Sequence, residues 1–288
     1  MTEFELIAAL CAMADHPAAR GLADDAAVLE VGGEALVLTH DAMVEGRHWR
    51  RGADMADVAW KLVAVNLSDL AAKGAEPLGV LVGYTLGDGD ARFLEGLRAV
   101  LRELRVPLLG GDTVAGEGSR TLGCTAIGRA THVPVPDRRG ARIGDRVFVS
   151  GSVGHAMLGF EGAREGGADD LAYRRPRPLL AEGQALAPIV SAMMDISDGL
   201  LLDAWRMASA SGVCFALDTP GIPVADPGRR DACLRWGDDY ALLFTAAPGT
   251  ALPIDASRIG TVIPPGPSPL LLDGEPPADQ DRLGYQHG

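Results

Sequence analysis

Lysine is almost absent from this chain. Lys61 and Lys73 are the only two, so nearly all positive charge rests on arginine. Neither lies in a Gly-x-x-x-x-Gly-Lys-Ser/Thr loop, which excludes a P-loop as the means of holding a nucleotide. Cysteine is scarce too. Cys11, Cys124, Cys214 and Cys233 are scattered, with no Cys-x-x-Cys pair and no histidine at zinc spacing. That argues against a structural zinc and for small buried apolar side chains. No run of about 18 apolar residues occurs, and no basic-then-apolar leader opens the sequence. Neither a membrane span nor export is expected, and a cytoplasmic location is the default. Positive charge as a whole is short: 26 Lys+Arg against 39 Asp+Glu leave a net charge of -13. This excludes nucleic-acid binding by counterion release. It does not exclude phosphate-bearing small molecules, because divalent cations bridge carboxylates to phosphates.

What is present suits a two-domain globular protein. A length of 288 residues exceeds one ordinary hydrophobic core, and 47% hydrophobic residues suffice for two. Thr2 and Glu5 have capping-box spacing before a helix expected over 3–14. Ala26–Leu29 and Ala35–Leu38 flank Gly32-Gly33 and predict a β-hairpin. Asp54 to Lys73 predicts a long helix, ended by Gly74 and Pro77. Strands are expected at Leu78–Leu86, Val106–Leu109 and Thr121–Ile127, with a helix at Ala91–Leu104. The cluster Val133-Pro134-Val135-Pro136-Asp137-Arg138-Arg139-Gly140 interrupts all periodicity and marks a boundary, giving domains 1–137 and 138–288. Beyond it, strands and helices alternate again, with a helix expected at Leu180–Val190 and another from about Asp198. Pro264–Pro277 reads as a surface loop. Both halves are α/β or α+β.

One chemical theme recurs along the chain. Apolar, strand-like runs meet aspartates flanked by small residues: Asp24-Asp25, Thr39-His40-Asp41, Gly110-Gly111-Asp112, Asp195-Ile196-Ser197-Asp198-Gly199, and Gly237-Asp238-Asp239. Asn66-Leu67-Ser68-Asp69 adds an acid within the long helix. Each has a plain alternative. Asp24-Asp25 and Gly110-Gly111-Asp112 could be turns, Asp198 a helix cap, His48 an ordinary partly buried histidine. Asp69 could lie on a solvated face, yet its neighbours Leu67, Leu70 and Ala71 are apolar, where an unpaired acid is costly. Clustered carboxylates repel one another unless cations neutralise them. Magnesium takes hard oxygen ligands, one or two carboxylates per ion, with phosphate oxygens completing the shell.

Taken together, these segments resemble the thiamine-monophosphate kinase family. That family shares a superfamily with aminoimidazole ribonucleotide synthetase, selenophosphate synthetase and a hydrogenase-maturation protein. The resemblance spans about residues 20–263 and is most specific in Asp24–Ala27, Asp41–His48, Ala64–Ala75, Leu109–Thr113 and Asp195–Leu200. It implies a two-domain aminoimidazole ribonucleotide synthetase-like fold, in a homodimer whose N-terminal sheets join into a barrel. It implies transfer of the ATP γ-phosphoryl group to thiamine monophosphate with several Mg2+ ions. Asp24, Thr39, Asp41, Asp69, Asp112, Asp195 and Asp198 match magnesium positions, with His40 beside them as a further candidate ligand. Asp69, Asp195 and Asp198 are the expected catalytic carboxylates. Gly111, Asp112, Arg129 and Ser197 match nucleotide contacts, and His48, Asp238 and Tyr285 match substrate contacts. The chain departs from the family pattern at Asp238, where glutamate is usual, at Trp236 and Ala23, where glycine is usual, and at His40, where Thr or Ser is common.

Sister reactions fit less well. Cys11 lies in the first predicted helix, not in the Gly-rich loop a selenophosphate synthetase needs, and the C-terminus carries no cysteine for the hydrogenase-maturation chemistry. The Asn66–Ala75 and Asp41–His48 segments favour the kinase over aminoimidazole ribonucleotide synthetase. A non-catalytic binding paralogue draws its only support from the altered Trp236–Asp238 segment.

Overall fold

The computed structural model describes residues 3–165 and 170–286. Thr2, and with it the capping-box expectation, lies outside them. Helices are α1 (Glu3–Cys11), α2 (Met55–Ala72), α3 (Asp90–Glu103), α4 (His155–Glu165), α5 (Leu171–Arg174), α6 (Leu180–Leu186), α7 (Leu200–Ser211) and α8 (Arg230–Arg235). Strands of the first half are β1 (Ala27–Val31), β2 (Glu34–Val44), β3 (Ala75–Thr85), β4 (Leu108–Val114) and β5 (Thr121–Ala130). Those of the second are β6 (Arg146–Val149), β7 (Ala192–Asp195), β8 (Cys214–Leu217), β9 (Leu242–Ala246), β10 (Ser257–Ile263) and β11 (Leu270–Leu272).

The first sheet runs β1-β2-β5-β3-β4, antiparallel throughout except for the parallel β3–β4 pair. Residue parity decides which face is covered. Ala35, Val37, Thr39 and Met43 of β2 point inward, as do Leu122, Cys124 and Ala126 of β5. Helix α2 lies across this face and is buried almost end to end. Asp54 caps it by accepting from the Ala56 N–H at 2.9 Å. Helix α3 buries Phe93, Leu97 and Val100 against it, and a Cβ on Gly96 would come within 2.3 Å of Ala56 O. The other sheet face holds Leu36, Leu38, His40 and Ile127, none of them buried.

The second sheet, β11-β8-β10-β6-β9-β7, has its own core around Val147, Met194, Leu201, Phe215 and Leu243. A third cluster joins the halves: Ala71 and Ala72 of α2 meet Leu186, Met193, Leu242 and Phe244. Cys124, Cys214 and Cys233 are buried and free, and Cys11 is exposed.

Three expectations are corrected. Gly110-Gly111-Asp112 does not end its strand, because β4 pairs with β3 through Thr85↔Val114. The helix from Leu180 stops at Leu186. Pro264–Pro277 is not only loop: Leu270 is fully buried, and Leu270–Leu272 pair in parallel with β8. A three-residue strand between prolines is too short to leave a period in the sequence.

Candidate active site

The end of β7, the inner face of β2, helix α2 and the turn before β1 converge where the two halves meet. Asp25, Asp69 and Asp195 each bring a carboxylate oxygen there, all within 4.8 Å of one another. The Asn66-Leu67-Ser68-Asp69 run has one task per polar residue. Asn66 accepts from the Asp41 N–H at 3.0 Å and donates to Leu62 O at 2.8 Å, tying β2 to α2. Ser68 donates to Asp195 Oδ2 at 2.6 Å, and Asp69 enters the cluster with Thr39 Oγ1 donating to it.

Burial and mutual repulsion set the electrostatics. Asp69 and Asp195 are held well above the ordinary carboxylate range, chiefly by burial and then by neighbouring acids. Burial likewise pushes Asp41 up to about 6. Asp25 is the exception. Burial opposes its charge, but the Arg138 guanidinium and the Lys73 ammonium prevail and hold it down to about 2.

The structure corrects the choice between the two adjacent aspartates. Asp25, not Asp24, faces Asp69 and Asp195. The Asp24 carboxylate has no exposed surface and is saturated, with Lys73 Nζ 2.5 Å from Oδ1 and Arg20 2.5 Å from Oδ2. Nothing in the composition of an Asp-Asp pair tells which one turns inward.

A cleft of about 420 Å³ opens from this cluster. It gathers eight of the residues expected from sequence: Asp41, His48, Asp69, Asp195, Ser197, Asp198, Asp238 and Tyr285. Asp198 is no helix cap; it pairs with Arg206. The fully buried Asp203 instead fixes the loop before α7, accepting from the Ser197 and Asp198 amides at 3.1 and 3.0 Å. Asp238 and Tyr240 both take positive φ, 59° and 52°, and their amides donate to Ser197 O and Ile196 O. The substrate-side turn is thereby locked to the acidic loop. The C-terminal segment returns to the cleft because the Tyr285 N–H donates to Asp198 O at 2.8 Å. Gly284 allows that approach, since a Cβ there would lie 2.3 Å from the same oxygen. Trp236 packs its ring 5.2 Å from that of Phe160 and walls one side.

Four expected residues are not brought together with the cluster within one chain. His40 lies on the opposite sheet face from Thr39 and Asp41, 2.8 Å from Thr125 Oγ1. Gly111 shares a row with Asp41 through Cys124 and Val82, but three strands away, on the order of 14 Å at the usual spacing. Asp112 follows it on the exposed edge strand. Arg129 is on the open face, paired with Glu34 at 3.3 Å and Glu76 at 3.0 Å. Sequence reading flagged the Asp24-Asp25 pair but chose Asp24, and it missed Lys61, Lys73, Asp203 and Tyr240; for the two lysines their scarcity was the hint.

The donor set fits magnesium. It is all oxygen, the acids crowd one another, and Asp25 Oδ2 is buried without a directed hydrogen bond although Lys73 Nζ lies 2.8 Å away. Protonation competes with metal at such a site. The folded Asp41 holds its proton up to about pH 6, above its ordinary value of 3.8. Metal-free protein therefore gains proton-linked stability at low pH and loses it as pH rises through 6. Magnesium should raise Tm more at pH 8 than at pH 5.5. A thermal-shift series in which the increment is pH-independent would remove the carboxylates from the metal site.

The chain matches the family model of the AIR synthase related protein N-terminal domain over residues 23–130 and the C-terminal domain model over 142–266. It is 37% identical to the thiamine-monophosphate kinase of Salmonella typhimurium, over 92% of this chain and 86% of that protein. The thiamine-monophosphate kinase of Caulobacter vibrioides is 34% identical over 100% and 91%. A solved structure of AaThiL complexed with AMPPCP and TMP superposes with a TM-score of 0.87 at 28% identity, covering 96% of this chain and 95% of that one.

Proposed function

This chain belongs to the AIR synthase related family, among the thiamine-monophosphate kinases, and we propose that it moves the γ-phosphoryl group of ATP onto thiamine monophosphate, giving thiamine diphosphate and ADP. One observation carries the reading beyond membership: the Asp25–Asp69–Asp195 cluster, with Asp195 buried and the other two partly so, opens into a cleft whose far side is aromatic. One end suits a metal-bound polyphosphate and the other an organic ring.

The acceptor is a phosphate-monoester oxygen with a second pKa of about 6, so it needs no general base at neutral pH. The barrier is repulsion between two anions, and catalysis is positioning plus charge neutralisation. Asp25, Asp41, Asp69, Asp195 and Asp198 would hold magnesium. The bound metal would neutralise the polyphosphate oxygens and the developing charge. Thr39 and Ser68 orient two of these carboxylates, and Asp203 fixes the loop that carries Ser197 and Asp198. Residues 1–137 supply most of the acids, and 138–288 complete the nucleotide and substrate site.

A homodimer accounts for what one chain leaves apart. One face of the first sheet leaves Leu36, Leu38, His40 and Ile127 unburied, and its edge strand β4 is exposed along its whole length, with Leu108, Leu109 and Val114 about half accessible. Long unpaired edges and apolar faces of this kind are ordinarily covered. Pairing of two such sheets supports delivery of Gly111, Asp112 and Arg129 to the partner's nucleotide. Sedimentation should give the mass of two 30.0 kDa chains; a strict monomer with full activity overturns this assembly. Among the described residues no helix is long and apolar enough to cross a membrane, and we place the enzyme in the cytoplasm.

The direct test is a product assay with ATP, magnesium and thiamine monophosphate. Thiamine diphosphate should accumulate and vanish with EDTA. Nucleotide binding with no product would instead favour a binding-only paralogue.

A further inference from the structure

Lys61, Val65 and Asp69 stand at i, i+4 and i+8 on α2, so all three face the same cleft. Asp69 belongs to the acidic end. Lys61 is rooted about 12 Å along the helix axis and lines the cleft with its ammonium over the Tyr173 ring. Its side chain is only 4% exposed, and its ammonium meets three groups among the described residues. Asp238 Oδ2 lies at 2.7 Å, His48 O at 3.4 Å, and the Tyr173 ring centroid at 4.1 Å. The other Asp238 oxygen accepts from Tyr240 Oη at 2.8 Å. A nearly buried cation and a partly open anion, 29% exposed, therefore face one another inside a binding cleft.

We propose that this ion pair is a template for a zwitterionic phosphate ester. Lys61 binds the acceptor's phosphate, and Asp238 takes the cationic ring system. The assignment rests on the kinase reading and adds to it a substrate-binding residue and a rule of selection. On binding, Lys61 exchanges Asp238 for a phosphate oxygen and keeps the His48 carbonyl. Asp238 exchanges Lys61 for the ring cation and keeps the Tyr240 hydroxyl. Each charge leaves one partner for another of the same sign, so none is stranded. A ligand with only one of the two charges would strand the other member of the pair, and an unpaired, desolvated charge is heavily penalised. Thiamine, which lacks the phosphate, and inorganic phosphate, which lacks the ring, are both disfavoured by this arrangement. The shorter Asp238 in place of the family's glutamate fits the same logic, since Lys61 and Tyr240 already hold its carboxylate.

The lysine count makes the test direct. With only Lys61 and Lys73 in the chain, protein labelled with 13C at the lysine ε position shows two side-chain signals. Lys73 is fully buried in a separate ion network and serves as the internal control. Titration of the full-length wild type with thiamine monophosphate, in magnesium and without nucleotide, should move the Lys61 signal. Thiamine should leave that signal in place. Calorimetry should show thiamine monophosphate binding at least tenfold more tightly than thiamine. Lys61→Met should erase that preference and Lys61→Arg restore part of it. Were Lys61 only a prop for Asp238, Lys61→Met would weaken both ligands equally and the wild-type Lys61 signal would ignore the phosphate. Either result overturns the assignment while leaving the kinase reading intact. Absence of any thiamine monophosphate binding overturns both.

Discussion

Asp69→Asn is expected to lower kcat by about a hundredfold to a thousandfold, the scale seen when one preorganised electrostatic group is lost from an active site. The amide keeps the shape and can still accept from Thr39, but it removes a charge whose oxygen lies within 4.8 Å of those of Asp25 and Asp195. The same substitution should make the metal-free protein more stable. Asp69 is buried among acids that hold it well above the ordinary carboxylate range, chiefly by burial and then by Asp41 and Asp195. Removing its charge relieves that repulsion. Activity and stability should therefore move in opposite directions: a dead enzyme with a higher Tm in EDTA, and a smaller increment on adding magnesium. A merely structural Asp69 predicts the reverse, with Tm falling alongside turnover. Wild-type-like turnover in the purified variant would remove Asp69 from the chemistry altogether.

Lys73→Met should be the most damaging change to folding. Lys73 has no exposed surface, and its ammonium touches Asp24 Oδ1 at 2.5 Å, Asp25 Oδ2 at 2.8 Å and Met193 O at 3.1 Å. The first two oxygens belong to the turn before β1, and the third belongs to β7 of the other half. Methionine fills the volume but leaves buried carboxylates short of a cation. Breaking a buried pair in this way costs about 3–5 kcal/mol. For a chain of this size that is a fall in Tm on the order of ten degrees. Arg20 and Arg138 remain beside Asp24 and Asp25, so the fold should survive at low temperature. Loss of only a degree or two by calorimetry would mean that the two arginines already satisfy both acids.

These two residues mark how far sequence reading reached. Asp69 was legible because it sits in a long helix beside apolar neighbours, where an unpaired acid makes no sense. Lys73 was visible only as a lone lysine near a helix end. Its burial depends on α6 and β7 closing over the end of α2, with Gly183 so near Ala71 that a Cβ would lie 1.9 Å from its carbonyl. That contact joins residues more than a hundred positions apart, and no local period records it. The order of Asp24 and Asp25 was illegible for a similar reason. Both are turn residues of one type, and only the packed cations decide which carboxylate is consumed and which faces the cluster.

Elements with a strong period came through with small shifts at their ends. The hairpin and the α2 helix follow from alternation, capping and breakers that act within a few residues. By itself, then, the sequence determined the chemical inventory: oxygen donors beside apolar strand-like runs and on one helix, almost no lysine, no P-loop, and two α/β halves. The tertiary structure alone decided which acids share a site, which are neutralised by buried arginine and lysine, and that Gly111, Asp112 and Arg129 lie away from the cluster in a single chain. The physical reason is range. Local backbone preferences are set by neighbours in sequence, whereas the charge on a carboxylate is set by burial and by whatever cation the folded chain brings within a few ångströms.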